Sequence, residues 1–274
     1  MKIGINASFL RKPGTGIGQV TAHFLRKLAG FQIADFKSQN GELPKFILYC
    51  EEVPKLDFEL PENFEVKSFL PRWWKRDDVP RKWLWERELA KRAAKDKCDA
   101  LLSLYQSATD FHAMCLIPHA HTPRHVMVVH DIIPAFFPEY LAKLSQRLHF
   151  RAIERAITRA DRIVSVSEAT KSDLLWHFSV SAKDIAVAYP DAGAQFARIP
   201  SEKEVKQVLE KYGLEPGYIY HGGGLEVRKN AEGLLEAYAK LIGKDTRNKA
   251  QGTSTFQGSS SKAQVIPPLV ISGK

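Results

Sequence analysis

Residues 2–18, KIGINASFLRKPGTGIG, decide the fold of the chain. The apolar run at residues 2–8 predicts a strand at the very start. From Ile17 the apolar residues recur every three or four positions, which indicates a helix. Between strand and helix stand three glycines at alternate positions: Gly14, Gly16 and Gly18. A strand, a glycine turn and a helix in this order begin an α/β fold.

The glycine turn is also a candidate ligand site. Glycine allows close approach of a ligand to the backbone, and the free amides at a helix start favour an anion such as phosphate. A tight turn without a ligand explains an isolated glycine cluster equally well. The spacing G-x-G-x-G differs from the dinucleotide fingerprint G-x-G-x-x-G, so NAD is not the expected ligand.

Composition and charge narrow the class of protein. The chain has 274 residues, of which 44% are hydrophobic and 26% charged, as in ordinary globular proteins with one large or two modest domains. A net charge of +9 favours an anionic partner, either a nucleotide diphosphate or an anionic membrane surface. A nucleic-acid partner is not expected, because no nucleic-acid-binding motif is found.

The cellular location and redox environment of the protein are inferred from the start of the chain, its apolar runs and its cysteines. The chain begins directly with a strand, so we expect no signal peptide. No apolar run approaches the roughly 20 residues of a membrane span. The three cysteines form no C-x-x-C pair, which predicts neither a disulfide framework nor a cysteine metal site. We therefore expect a cytoplasmic protein, with peripheral association at the inner face of the membrane as a further expectation.

Strands and helices alternate through the first two thirds of the chain. Further strands are predicted near residues 46–49, 64–69, 99–105, 125–131, 162–167 and 185–189. Helices are predicted at residues 83–97, 138–160 and 167–178, with Ser167 as an N-cap. This alternation predicts a doubly wound, mostly parallel sheet.

A segment rich in tryptophan and basic residues follows the third predicted strand. It contains Trp73 and Trp74 and continues into the basic helix at residues 83–97. Aromatic and basic side chains together suit an anionic membrane interface or a sugar ligand. A buried Trp/Leu stripe with a solvated basic face is the alternative interpretation, and the more frequent one.

Histidines are concentrated around the fifth predicted strand. His112, His119, His121 and His125 do not share a helix face and no carboxylate joins them, so no metal site is expected. His130 and Asp131 end the strand, at the edge that faces the ligand crevice of an open α/β sheet. They are the candidate catalytic pair, and a satisfied structural pair is the alternative.

A second strand, glycine turn and helix begin near residue 218. Gly223 and Gly224 precede two adjacent cations, Arg228 and Lys229, and Asn230 can cap the helix that follows. Glycines, cations and a helix start together predict a site for a diphosphate. We therefore expect a first domain at residues 1–192, a connection at 193–216, and the incomplete start of a second domain at 217–274.

Several segments in order resemble the "group 1", family 4-like class of retaining glycosyltransferases with the GT-B fold. These segments are GTGIG at 14–18, VHDIIP at 129–134, DRIVSVSEATKSDL at 161–174, GGLEVRKN at 223–230 and LLEAY at 234–238. Each motif is weak alone, but their order and spacing over about 240 residues are fairly specific.

The resemblance implies two Rossmann-like domains that face a cleft, the first for the acceptor and the second for a nucleotide sugar. It places Gly14, Gly16, Gly18, Ser167 and Glu168 at the substrate and His130 at the transferred sugar. It assigns the donor diphosphate to Gly223, Gly224, Arg228 and Lys229. Those cations would stabilise the departing diphosphate, so no cofactor and no obligatory metal are expected.

The chain also departs from the family pattern. Many relatives carry an arginine where Gly224 stands, and their paired-glutamate motif E-x7-E lies beyond Lys274. The expected function is hexosyl transfer to a glycan or lipid-linked acceptor in surface polysaccharide synthesis, with little activity from this chain alone. Two alternatives remain: a non-catalytic acceptor- or membrane-binding module, and a nucleotide-sugar epimerase of the same fold.

Overall fold

The computed structural model describes residues 1–31, 43–70, 78–111, 121–193, 196–223, 227–250 and 266–272. The chain forms two compact units, here called unit 1 (Met1–Gly193) and unit 2 (Ala194–Lys274). Nearly all of the segment expected to connect two domains, residues 193–216, belongs to unit 2.

Unit 1 is built on a seven-stranded sheet in which every pair of neighbours is parallel. The strands are β1 (Lys2–Asn6), β2 (Lys45–Cys50), β3 (Phe64–Ser68), β4 (Ala100–Ser103), β5 (Arg124–Val129), β6 (Arg162–Ser165) and β7 (Ile185–Val187). Their spatial order is β3-β2-β1-β4-β5-β6-β7. This confirms the predicted doubly wound parallel sheet. The order reverses between β1 and β4, where open α/β sheets form their ligand crevice.

The described residues of unit 1 form the α-helices α1 (Gly16–Gly30), α2 (Val79–Lys95), α3 (Ile133–Phe136), α4 (Leu144–Arg159) and α5 (Glu168–His177). The single helix predicted at residues 138–160 is wrong. A 3-10 turn at Pro138–Tyr140 is followed by extended backbone at Lys143, and only then does α4 begin. The Gln146 side chain accepts a hydrogen bond from the Lys143 amide (2.9 Å), which stabilises this separate helix start.

The core of unit 1 consists of apolar layers on both faces of the sheet, as expected for parallel strands. On one face, Trp85 and Leu89 of α2 pack with Tyr49 and Leu101 of the strands. On the other, Leu25 of α1 packs in a second layer with β1 and β2. Burial of each such side chain contributes about 1.5–3 kcal/mol, so these layers fix the carboxyl ends of the strands in place.

Unit 2 contains α6 (Glu202–Tyr212), β8 (Ile219–Gly222), α7 (Ala231–Ala250) and β9 (Leu269–Ser272). Strands β8 and β9 pair in parallel. A capping box between Ser201 and Glu204 starts α6, and Gly213 ends it in the left-handed conformation. Within the described ranges of both units, no helix combines the length and the apolar character that crossing a membrane requires.

Candidate functional site

A cavity of about 530 Å³ lies in unit 1 at the carboxyl edge of the sheet. Residues after β1, β4 and β5 line it, together with the first turns of α1, α2 and α4. Among the lining side chains are Ser8, Trp85, Glu86, Tyr105, Asp131 and His149. The cavity therefore occupies the position where this sheet topology predicts a ligand.

A buried carboxylate, Glu86 of α2, lies in the wall of this cavity and is only 3% exposed. Its Oε1 accepts a hydrogen bond from the Ala108 amide (2.9 Å), and its Oε2 lies 2.8 Å from Nε2 of His149 in α4. Because an ionised carboxylate can only accept, His149 holds its proton on Nε2 and leaves Nδ1 as an acceptor when the ring is neutral. The pair joins α2 to α4 and presents a polar surface.

Ser8 and Tyr105 form a second polar group in the wall. Ser8 Oγ donates to the Tyr105 hydroxyl (3.1 Å). Burial, helped by the nearby charge of Glu86, raises the pKa of Tyr105, so Tyr105 keeps its hydroxyl proton at neutral pH. This group can both donate to and accept from a ligand hydroxyl.

The wall also contains a shared ion pair. Arg11 Nε and Arg81 Nη2 both lie 2.8 Å from Glu51 Oε2. Arg81 is 2% exposed and Glu51 is 8% exposed. One carboxylate therefore serves two guanidinium groups, and Glu52 Oε1 lies 4.0 Å from Arg81 Nη2, so the charges of this cluster balance.

The candidate catalytic pair lies directly after β5, as its place in the sequence indicated. His130 Nε2 donates to the Leu104 carbonyl (3.0 Å), which leaves Nδ1 as an acceptor in the neutral ring. The Asp131 carboxylate accepts a hydrogen bond from the Ile133 amide (3.2 Å), and Asp131 lines the cavity. Both residues have structural contacts and lie at the ligand edge, and a catalytic role for the pair stays a prediction.

The first glycine turn owes its glycines to two different causes. A Cβ on Gly18 would lie 2.0 Å from the Lys12 carbonyl oxygen, whereas Gly14 and Gly16 have open space beside them. Thr15 caps α1 by accepting a hydrogen bond from the Gly18 amide (3.1 Å). None of the three glycines has a positive φ. Gly18 is thus needed for packing, and Gly14 and Gly16 leave room for a close neighbour.

Ser167 and Glu168 lie at the start of α5. Ser167 accepts from the Thr170 amide (3.0 Å), which confirms the predicted N-cap. The Thr170 hydroxyl in turn donates to the His130 carbonyl (3.1 Å). Glu168 is the exposed first residue of the helix. Ser167 therefore supports the backbone at His130, and its contact with substrate stays a prediction.

In unit 2 the structure brings two of the predicted diphosphate-binding residues together. Gly223 has φ 122°, and a Cβ there would lie 3.5 Å from Nζ of Lys229. Arg228 and Lys229 are exposed in a 3-10 turn. Asn230 accepts from the Gly233 amide (3.3 Å), the capping contact that the sequence indicated. Gly224 lies outside the described residues.

The histidines near β5 take part in the fold. His121 Nε2 lies 2.6 Å from the Cys98 carbonyl oxygen, and His125 Nε2 lies 2.9 Å from Ser103 Oγ. Burial lowers the pKa of His125 to about 4. His112 and His119 lie outside the described residues.

The sequence interpretation missed the buried polar residues of the cavity wall, above all Glu86 and His149. One signal was available: within the basic helix, the 3.6-residue period places Glu86 on the face of Trp85 and Leu89, which is buried. A charged residue on a buried face needs a partner, and such a residue marks a candidate site.

Comparison with known proteins gives consistent matches. The family model for Glycosyltransferase Family 4 matches residues 45–190. O-antigen chain mannosyltransferase B of Escherichia coli is 26% identical over 259 residues, which cover 90% of this chain and 62% of that protein. The serotype-specific mannosyltransferase WbdA of Escherichia coli is 26% identical over 144 residues, covering 52% of this chain and 18% of that protein.

Solved structures show the same architecture at low identity. WaaG, a glycosyltransferase involved in lipopolysaccharide biosynthesis, superposes with a TM-score of 0.55 at 14% identity, covering 87% of this chain and 59% of WaaG. The structure of Anabaena HepE in complex with UDP-glucose gives a TM-score of 0.53 at 12% identity, covering 88% of this chain and 57% of HepE. These neighbours confirm the GT-B-like fold.

The chain spans about three fifths of the Escherichia coli mannosyltransferase it matches over most of its length. With the family model matching more than half of its residues, the chain belongs to glycosyltransferase family 4.

Proposed function

We propose that the protein transfers a mannose-like hexose from a nucleotide-diphosphate sugar to a glycan or lipid-linked acceptor in cell-surface polysaccharide or glycolipid synthesis. The observation that carries this proposal is the cavity at the switch point of a family 4 chain, whose mainly apolar lining includes a few polar side chains. The mannosyltransferase names of the two Escherichia coli relatives support mannose as the transferred sugar.

In this proposal the cavity of unit 1 binds the acceptor. Glu86, Tyr105 and Asp131 offer oxygen atoms to sugar hydroxyls, and the half-buried Phe9 gives an aromatic surface. His130 lies near the transferred sugar, where its Nδ1 accepts a hydrogen bond from a sugar hydroxyl. Gly14 and Gly16 allow close approach of substrate because no side chain fills the space beside them.

The donor diphosphate binds, in this proposal, to Gly223, Gly224, Arg228 and Lys229 of unit 2. The ammonium of Lys229 next to Gly223 supports this role, because it sets a positive charge over exposed backbone. The two cations stabilise the negative charge that develops on the departing nucleotide diphosphate. They take the place that a metal ion has in other transferases, so the proposed reaction uses no cofactor.

Transfer is tested with labelled GDP-mannose and the common UDP-sugars, for the 274-residue chain and for the protein in its full length. The expected result is transfer of label to a polysaccharide or lipid-linked acceptor, largest with GDP-mannose. Inertness of the full-length protein toward all donors would refute the proposal. Product analysis separates the epimerase alternative, since an epimerase isomerises the donor and leaves the acceptor unlabelled.

We further propose that the protein works in the cytoplasm and docks on an anionic membrane surface through the exposed face of α2. Arg87, Lys91, Arg92 and Lys95 are exposed or nearly so along this face, and Trp83 is 48% exposed. Trp73 and Trp74, which belong to the same expectation, lie outside the described residues. Co-sedimentation with vesicles of neutral lipid, with and without phosphatidylglycerol, tests the docking; equal sedimentation with both would contradict it.

A further inference from the structure

We propose that His149, fixed by Glu86, binds a hydroxyl of the acceptor sugar and accepts a hydrogen bond from it through Nδ1. The cavity of unit 1 then selects a neutral sugar that has a free hydroxyl, an O–H donor, at this point. This inference rests on the proposed function, since it names the group of the acceptor that the cavity recognises.

The imidazole of His149 is held in one orientation. His149 is 9% exposed, its Nε2 lies 2.8 Å from Glu86 Oε2, and the Trp83 ring lies beside it with the centroids 6.4 Å apart. Glu86 is fixed in turn, because its Oε1 accepts a hydrogen bond from the Ala108 amide at 2.9 Å. Since the hydrogen bond at one ring nitrogen sets the tautomer of the other, a ligand meets a ring whose direction and proton position are already set.

The second ring nitrogen of His149 is left for a ligand. In the described part of the chain Nδ1 has no hydrogen-bond partner, and solvent reaches it. His149 also lines the cavity. Polar atoms of buried side chains are nearly all hydrogen-bonded in native structures. An open acceptor on a ring that is otherwise fixed and buried therefore points to a partner that enters the cavity.

The charges around the cavity favour a neutral partner. Carboxylates and cations are equal in number among the described residues that line it: Glu51, Asp78, Glu86 and Asp131 beside Arg11, Lys12, Lys82 and Lys143. Glu86 lies against His149 and would repel an anion bound at Nδ1. A hydroxyl proton offers the positive end of a dipole to Nδ1 without the desolvation cost of a full charge.

Fluorinated sugars test this on the 274-residue chain without any substitution. Calorimetry compares methyl α-mannoside with analogues in which fluorine replaces one hydroxyl at a time, because fluorine is close to a hydroxyl in size but cannot donate. We expect at least one analogue to bind about three- to tenfold more weakly than the parent sugar, from the loss of one hydrogen bond. Equal binding of all analogues, or no binding of the parent sugar, would overturn the inference.

Glu86→Gln tests whether His149 is the group responsible. The Ala108 amide fixes the oxygen of the new side-chain amide, so its NH2 group faces His149 Nε2 and donates to it. The neutral ring then holds its proton on Nδ1, which changes from acceptor to donor. At a pH where nitrogen-15 NMR shows a neutral ring, we expect the Nε2–H tautomer in the chain and the Nδ1–H tautomer in the variant.

The same variant has an expected binding pattern. A hydroxyl accepts as well as donates, so Glu86→Gln is expected to bind the parent sugar within about twofold of the unsubstituted chain. The penalty for fluorine is expected to vanish, because the ring no longer requires a donor from the sugar. A penalty that survives in this variant would assign the contact to another group and refute the role of His149.

His149→Gln gives an independent measurement if Glu86→Gln fails to fold. Glutamine keeps an N–H donor for Glu86 and lacks the acceptor at Nδ1. This variant is expected to bind the parent sugar as weakly as the chain binds the penalised analogue, with no further loss from fluorine, because both changes remove one and the same contact. Additive losses would contradict the inference.

A second histidine–glutamate pair of unit 1 provides the matched control. His177 of α5 lies 3.6 Å from Glu154 of α4, and neither residue lines the cavity. Glu154→Gln makes the same change of charge at this pair and is expected to keep the fluorine penalty. Loss of the penalty in this control would show that the effect is not specific to His149.

The transfer assay tests the proposed function separately. A fluorine penalty that depends on His149, together with no transfer by the full-length protein, would keep this binding contact and refute the proposed function. Transfer to mannoside acceptors without any fluorine penalty would keep the proposed function and refute the role of His149.

Discussion

Two segments of the chain share one local pattern. Strand β1 leads through Gly14–Gly18 into α1, and β8 leads through Gly222–Lys229 into α7. In the first, the strand ends in the buried Asn6, and Gly18 packs against the Lys12 carbonyl. In the second, β8 is largely exposed and Gly223 has the positive φ that favours glycine.

The difference shows that the same sequence pattern can have two different structural roles. In the first turn Gly14 and Gly16 are exposed, and Gly18 alone is buried against the Lys12 carbonyl, so Gly18 holds the fold. The second turn is exposed, so its glycine serves the backbone conformation and its cations remain at the surface. We therefore expect changes at Gly18 to alter stability, and changes at Gly16 and at the second turn to alter function.

The largest expected effect comes from removing a buried charge beside the first turn. Glu51→Ala removes the nearer of the two carboxylates that pair with the buried Arg81 and leaves only Glu52, at 4.0 Å; loss of one partner of a buried pair costs about 3–5 kcal/mol. Urea unfolding measures the loss. The matched change in unit 2, Glu204→Ala, breaks the exposed pair with Arg198 and is expected to change stability little. Similar losses in both variants would remove the distinction between the units.

A pH titration of stability tests the buried character of unit 1. The pKa of His125 is lowered to about 4 by burial, whereas an unfolded histidine titrates near 6.5. The unfolded chain therefore binds the proton first, and stability falls as the pH is lowered from about 6.5 to 4, by about 2–3 kcal/mol. Unfolding measured across this range in the chain and in His125→Gln checks it, since the variant should lose this part of the slope.

Unit 2 offers a contrast at lower pH. Hydrogen bonding to Arg198 and to Ser201 lowers the pKa of Glu204 to about 2. Its contribution is present above the unfolded pKa near 4.3 and is lost as the pH falls toward about 2. Because the group is exposed, solvent screens the interaction, and we expect only fraying of α6 in circular dichroism over that range. A transition of unit 2 above pH 5 would contradict this.

The two kinds of glycine in the first turn give a smaller effect. Gly18→Ala sets a methyl group against the Lys12 backbone, and such overpacking costs about 1–3 kcal/mol. Gly16→Ala meets open space in the first turn of α1 and is expected to be neutral or slightly stabilising. Thermal unfolding of the two variants decides; a loss from Gly16→Ala equal to that from Gly18→Ala would refute the distinction between them.

Much of this architecture follows from local patterns in the sequence. Alternation of strands and helices, with the handedness of crossovers, was enough for the parallel sheet. Ser167 and Asn230 were predictable as caps because a cap binds an amide two or three residues away. The strand pattern of residues 125–131 likewise placed His130 and Asp131 at the carboxyl end of β5.

The remaining features depend on contacts between distant residues. Glu86 and His149 are 63 positions apart, and only the packing of α2 against α4 brings them together. The break before α4 was missed because the apolar period continues through Leu141. The helix start depends on a hydrogen bond that the Lys143 amide donates to the Gln146 side chain, which the period does not show. The cavity is enclosed by elements from six parts of the chain, and no single segment carries its signature.

The smallest expected effect concerns ligand affinity and tests the second turn. Lys229→Ala removes an exposed ammonium beside Gly223, and loss of one such contact to a diphosphate weakens binding about two- to tenfold. Gly16→Val fills the open space at the first turn, so it should abolish transfer and leave most of the nucleotide affinity. Calorimetry with GDP and UDP, read beside the transfer assay, compares the two variants. Lys229→Ala must weaken both nucleotide binding and transfer, because the diphosphate charge is present in the bound donor and grows as the bond to the sugar breaks. Equal loss of nucleotide affinity in both variants would mean that the first turn also binds the diphosphate, and the contrast between the two turns would fail.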